Sequence, residues 1–129
     1  MFETSSPPNH EAQQAETLLA ALRELDGIWG SFVLSLDGEL LLWDVPRTIS
    51  EDTLDAVGPR LAVLRDALTS GGRMHVDFLT LRYERHRLCL GTTPFGIMCV
   101  IASPSVNMPA LRMAMNVTCK RLDRLLALA

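Results

Sequence analysis

The nitrogen and sulfur ligands a zinc ion would need, and the thiols that could attack a substrate, come from three histidines and three cysteines: His10, His75, His86, Cys89, Cys99 and Cys119. A zinc site needs such ligands clustered at short spacings. Here the histidines fall in a polar N-terminal stretch, at a strand start and in a turn. Each reads as a surface or edge residue. The cysteines form no Cys-x-x-Cys pair, are odd in number and each lie within an apolar pattern. They read as reduced core thiols of a cytoplasmic protein.

Phosphate chemistry is no better served. Gly91 and Gly96 have the glycine spacing of a P-loop, whose amides and lysine hold phosphates. Ile97 and Met98 follow where a lysine and a hydroxyl are required. Gly30-Ser31-Phe32 leads into a strand and lacks the flanking glycine of a nucleophile elbow. Acid–base catalysis needs paired carboxylates in a cleft, and Asp26, Asp37, Asp52 and Asp55 all have turn, cap or helix-surface explanations. Asp77 stands inside an apolar strand; it faces solvent, or meets an arginine across an interface. The basic run Arg82-Tyr83-Glu84-Arg85-His86-Arg87 suits a phosphate or an acidic partner, although a solvated hairpin tip is the plainer reading.

Two Asp-Gly pairs raise the possibility of a calcium loop. The additional oxygen ligands at alternating positions are missing. Asp26-Gly27 follows a helical pattern, so Gly27 is expected as a left-handed helix stop. Asp37-Gly38 separates two apolar runs, so a two-residue type I′ hairpin turn is expected, with positive φ at both positions. No catalytic, cofactor or metal residue is assigned, and the chain is not expected to be an enzyme.

The elements that would position any site follow from periodicity. Residues 1–9 are polar and read as a disordered tail, and residues 10–129 as a single domain. Ala15, Leu18, Leu22 and Leu25 mark a first helix. Strands are expected over Ser31–Leu36 and Glu39–Asp44. Ser50 caps a second helix carrying Leu54, Val57, Leu61, Leu64 and Leu68, with Pro59 expected to bend or split it and Ser70-Gly71-Gly72 to end it. Residues 74–82, 87–92 and 97–102 read as three more strands, joined by Tyr83–His86 and by ThrThrProPheGly. A last helix spans about Met108 to Leu128. The order α-β-β-α-β-β-β-α suits a three-layer α/β/α sandwich around a mostly antiparallel five-stranded sheet.

The chain has 129 residues, 48% of them apolar, and a formal net charge of −3. That is one ordinary domain with enough material for a core. The acidic balance argues against nucleic acid as a partner. Residues 1–10 lack the basic and apolar regions of a signal peptide, and the longest apolar runs fall far short of a membrane span. A cytoplasmic protein is expected, with no membrane insertion.

The apolar residues exceed what one sheet needs. In the second helix the five core positions fill an arc of about 80°. Ala56, Arg60, Val63 and Ala67 extend the weakly polar surface well beyond it. In the third strand, Val76 and Phe78 point to one face and Leu79 and Leu81 to the other, and neither face is polar. Such a strand at a sheet edge needs a cover or a partner. A two-fold pairing of the second helix and third strand with their own copies meets that need. The expected dimer interface is Ala56, Arg60, Val63, Ala67, Val76, Phe78 and Leu79.

Leu25-Asp-Gly-Ile-Trp-Gly-Ser-Phe-Val-Leu-Ser-Leu-Asp-Gly-Glu-Leu-Leu resembles the opening of Roadblock / dynein-light-chain domains. The run Cys99–Ala102 followed by SerProSerValAsnMetProAlaLeuArg resembles their last strand, Asn-containing loop and final helix. The similarity covers about residues 12–127. Asp26 departs from the proline common at that step, and Pro59 in the second helix is a second departure. The resemblance implies a profilin-like sheet with the second helix on one face and the first and last on the other. It implies homodimers joined through the second helix and third strand. Bacterial members of the MglB type act on a small Ras-like GTPase, some stimulating hydrolysis without an arginine finger by reorganising the switch regions. On that implication Arg60, Val63 and Arg47 are the expected GTPase contacts. The alternative implied is a nucleotide-independent scaffold or adaptor subunit of the dynein-light-chain type. An enzyme or small-molecule sensor on such a sheet needs a polar-lined pocket, and the sequence names none.

Overall fold

A computed structural model describes residues 8–69, 78–93 and 95–127. The elements are α1 (Pro8–Arg23), β1 (Ile28–Leu34), β2 (Leu40–Asp44), α2 (Glu51–Thr69), β3 (Phe78–Arg82), β4 (Arg87–Thr92), β5 (Ile97–Ala102) and α3 (Met108–Ala127). The α-β-β-α-β-β-β-α order is as the periodicity indicates. The five strands form one sheet in the order β2-β1-β5-β4-β3, with every neighbouring pair antiparallel. No helix among the described residues is long and apolar enough to cross a membrane.

The period-two alternation of the strands divides the core. On one face Val33, Cys89, Met98, Val100 and Ala102 pack with Ala15, Leu19 and Leu22 of α1 and Leu111, Met115 and Leu122 of α3. On the other, Phe32, Leu34, Leu88, Leu90, Ile97, Cys99 and Ile101 pack with Leu54, Leu61 and Ala62 of α2. Central β5 is buried along its whole length because helices cover both of its faces. At the last helix, Asn107 caps the start: its Oδ1 accepts from the Ala110 amide at 3.0 Å.

Several boundaries differ from the sequence reading. The helix α1 begins at Pro8, so His10 lies on it; residues 1–7 of the expected tail lie outside the described residues. The same helix ends at Arg23, before Asp26-Gly27. Gly27 does take positive φ, +90°, but in a turn where the Ile28 amide donates to the Leu25 carbonyl at 3.2 Å. It reverses the chain into β1, which therefore starts at Ile28 rather than Ser31. The Gly27 carbonyl also accepts from the Ser103 amide at 2.7 Å.

The expected type I′ turn is corrected as well. Gly38 has φ +95° while no described residue other than glycine has positive φ. The Gly38 amide donates to the Ser35 carbonyl at 2.9 Å and the Ser35 amide to the Glu39 carbonyl at 2.8 Å. This is a three-residue loop, Leu36-Asp37-Gly38, in which only the last position needs the left-handed region. Both Asp-Gly pairs shape backbone.

Pro59 does not split α2, which runs as one element from Glu51 to Thr69. Its ring lies on an exposed side of the helix. The adjacent Gly58 is buried and faces Gly38, so the helix packs directly on the β1–β2 loop. The proposed stop Ser70-Gly71-Gly72, and residues 74–77 of the expected third strand, lie outside the described residues.

Candidate functional site

The second helix is capped as its sequence dictates. The Ser50 Oγ accepts from the Thr53 amide at 3.1 Å, and Glu51 and Asp52 occupy the first turn. Its buried face is rotated from the expected one. Leu54, Leu61 and Ala62 are buried, joined by Gly58, whereas Val57, Leu64 and Leu68 are only half-buried. The small residues Gly58 and Ala62 let the helix sit close to the sheet and turn part of the leucine ridge outward.

That ridge continues into the stripe predicted for self-association. Ala56, Arg60, Val63 and Ala67 are all exposed, and Val63 is 68% exposed. Spacings of four, three and four residues put them on one line of the helix. Among the described residues strand β3 lies at the edge of the sheet, paired with β4. Leu79 and Leu81 pack toward α2, while Phe78 packs toward α1 and α3. The Arg112 guanidinium sits 4.8 Å from the Phe78 ring centroid. The structure thus brings Leu79 to the side of the α2 stripe and places Phe78 on the opposite face. Val76, His75 and Asp77 lie outside the described residues.

Arg47 is exposed in the connector between β2 and α2, in a turn closed by the Ile49 amide donating to the Pro46 carbonyl at 2.9 Å. It borders a feature the sequence did not announce. A cavity of about 650 Å³ opens on the α2 side of the sheet. Its floor is Phe32, Leu88 and Ile101; its walls are Leu54 and Val57 of α2, Pro46 and Ile49 of the connector, and Trp29, Tyr83 and His86. The His86 ring stacks on Tyr83, centroids 4.8 Å apart and 13° between planes, with Trp29 at 6.3 Å. His86, read as a plain turn residue, is therefore part of an aromatic wall. These side chains come from stretches far apart in the sequence, so no local motif could have flagged them.

Little in the site can do covalent chemistry. Burial pushes the Cys99 thiol far up and the Cys119 thiol up to about 11. Burial also raises Cys89, outweighing the Thr80 hydrogen bond and the Arg87 charge, which act the other way. All three cysteines are unpaired and protonated near neutral pH. Among the described residues no group of three His, Cys, Asp or Glu side chains could hold a metal ion. The features the described residues do present are a stripe of exposed residues on α2, the β3 edge and an aromatic-walled cavity.

This architecture is that of the Roadblock/LC7 fold. No protein-family model and no curated protein matches the sequence. Solved structures do match in three dimensions. A Roadblock/LC7 domain from Streptomyces avermitilis superposes with a TM-score of 0.76 at 17% identity, covering 87% of this chain and 97% of that one. The gliding protein MglB from Thermus thermophilus superposes with a TM-score of 0.77 at 14% identity, covering 99% of this chain and 100% of the other. A structure described as MglB with tetrameric arrangement gives 0.78 at 11% identity, covering 97% of this chain and 93% of that chain.

Proposed function

We propose that this protein is a homodimeric regulator that binds a small Ras-like GTPase and stimulates its GTP hydrolysis. The observation that carries the reading is the outward line Ala56-Arg60-Val63-Ala67 on α2, beside half-buried Leu64 and Leu68. A helix that served only as the cover of its own sheet would present charge there. Two copies related by a two-fold axis bury this line and join their β3 edges through the same operation. One helix and one strand per subunit are enough for a stable interface of roughly 1,600 Å². The tetrameric arrangement of an MglB structure with this fold supports self-association.

GTP hydrolysis depends largely on positioning and electrostatics. A regulator without reactive groups of its own acts by ordering the GTPase's switch segments. Arg47 is the contact we assign to that partner, from its exposure in the connector before α2; Arg60 and Val63, the other expected contacts, lie on the line the two-fold pairing buries and are assigned to the dimer. The test mixes the purified protein with a Ras-like GTPase from the same genome, loaded with GDP or a GTP analogue. Preferential binding of the GTP-analogue form and faster hydrolysis are expected. Equal binding to both forms would favour the adaptor role instead. Absence of binding to either would overturn the GTPase reading.

A further inference from the structure

We propose that the cavity between α2, the connector ending at Ser50 and the β3–β4 turn seats one bulky apolar side chain of a partner segment whose flanking residues are carboxylates. This rests on the reading of the protein as a partner-binding regulator and specifies the chemistry of what docks.

Three observations converge. The first is size and lining. At about 650 Å³ the cavity is within the usual range for bound groups, roughly 300–1,000 Å³, and its interior is aliphatic and aromatic. The lining residues with polar side-chain atoms are Thr48, Thr53, Tyr83, His86 and Trp29, and the Thr53 hydroxyl is already engaged by the Ser50 Oγ. A group entering deeply must therefore be apolar.

The second is the mouth. Trp29 and Tyr83 are 41% and 50% exposed although they wall an apolar cavity. Tryptophan, tyrosine and arginine are the residues that dominate binding energy where proteins meet. The stack of His86 on Tyr83 holds both rings in place before a partner arrives, so less side-chain entropy is lost on docking.

The third is charge. The flank of α2 that lines the cavity runs through Thr53, Leu54 and Val57 and continues to Arg60. At 3.6 residues per turn, Glu51, Asp52 and Asp55 fall on the other sides of the helix. Arg47 sits between lining residues Pro46 and Thr48, and Arg85 precedes lining residue His86. Arg47 and Arg85 are thus exposed chain neighbours of lining residues and Arg60 is exposed one turn beyond Val57, with Glu84 as the carboxylate in the same turn as Arg85. Arg82 and Arg87 belong to the opposite face: they are cross-strand partners, and Arg87 acts on Cys89 in the α1–α3 layer. In a chain of net charge −3, this concentration of cations selects an acidic segment by attraction and orients its apolar anchor into the cavity.

The experiment titrates the full-length protein with three capped peptides, Asp-Asp-Leu-Phe-Glu-Asp, its basic counterpart Lys-Lys-Leu-Phe-Lys-Lys and the anchorless Asp-Asp-Ala-Ala-Glu-Asp, following the Trp29 indole N–H by NMR. Trp29→Phe assigns the signal against Trp43. Saturable movement is expected with the acidic anchored peptide alone, at least tenfold weaker in Arg85→Glu and in Tyr83→Ala. Both residues are exposed, so the fold should survive each change, and one-dimensional spectra check this. Equal response to the basic peptide, or none to any peptide, would overturn the proposal. So would a salt-independent response to an uncharged apolar dye with no peptide response, which would make the cavity a small-molecule site. Indole movement on concentrating the protein alone would make a second copy the occupant and overturn it too. Binding of the GTPase is measured in parallel: if it persists while the peptide arm fails, only this inference falls, and the converse leaves the cavity assignment standing without the GTPase.

Discussion

Gly58 of α2 lies directly on Gly38 of the β1–β2 loop: a Cβ placed on Gly38 would come within 2.6 Å of the Gly58 carbonyl oxygen. The contact is backbone to backbone, and it explains two sequence features at once. Gly38 needs a left-handed conformation, φ +95°, and it also needs to lack a side chain. Gly58 sits mid-helix, where glycine ordinarily weakens the element, because only glycine permits this approach.

Gly58→Ala therefore has the opposite sign from the usual helix substitution. In an exposed helix the change gains about 1 kcal/mol. Here the new methyl overlaps the Gly38 carbonyl, and overpacking against backbone costs about 1–3 kcal/mol. Urea unfolding should show a lower midpoint for the variant. A higher midpoint would show that α2 stands off the loop.

Val63→Glu separates association from folding. The side chain is exposed in one chain, so the fold of the monomer should be unaffected by circular dichroism. In a helix pair it places a carboxylate in a desolvated contact, at a cost of about 3–5 kcal/mol. Light scattering should find the variant monomeric at concentrations where the parent is associated. Unchanged mass would move the interface elsewhere.

The thiols predict a pH dependence. Burial raises Cys119 from 9.0 to about 11. In the folded protein it keeps its proton in a range where the unfolded chain loses it. Stability is therefore constant in this respect below 9.0 and falls as pH rises through about 11. At neutral pH alkylation of native Cys119 by iodoacetamide should be about 100-fold slower than that of a free thiol, from the lower thiolate fraction. Peptide mass mapping should place Cys99 last. Rapid labelling of Cys99 in the native state would contradict its complete burial.

Arg23 pairs with Asp44 through two hydrogen bonds, its Nε donating to Oδ2 at 3.1 Å, and so ties the end of α1 to the end of β2. Both side chains retain solvent contact, 39% and 22% exposed. Arg23→Ala should cost about 0.5–1 kcal/mol, less in high salt. A thermal-melt series in sodium chloride measures it, and a salt-independent loss would indicate a packing role for the aliphatic stem instead.

How far these features are legible in the sequence varies with how local their causes are. Strand and helix identities are readable because burial on a known face imposes a period of two or 3.6 on nearby residues. The α2 stripe is readable for the same reason, since Ala56, Arg60, Val63 and Ala67 repeat along one helix. The form of the turn at Asp37-Gly38 is not, because Asp-Gly suits both a two-residue loop and the end of a three-residue one. The rotation of α2 escapes a reading by periodicity because it is set by Gly58 meeting Gly38, a contact between distant stretches of chain. The aromatic-walled cavity escapes it because Trp29, Leu54 and His86 converge only after the sheet order β2-β1-β5-β4-β3 is formed. The opposite facing of Phe78 and Leu79 is readable from strand alternation, and the structure keeps it, with Phe78 toward α1 and α3 and Leu79 toward α2.

Sedimentation of the purified full-length protein over a hundredfold range of concentration tests most directly whether the outward side of α2 and the β3 edge join two copies. A single species of twice the chain mass, falling to one chain mass in Val63→Glu, is the predicted result. A stable single-chain species at the highest concentration would contradict it.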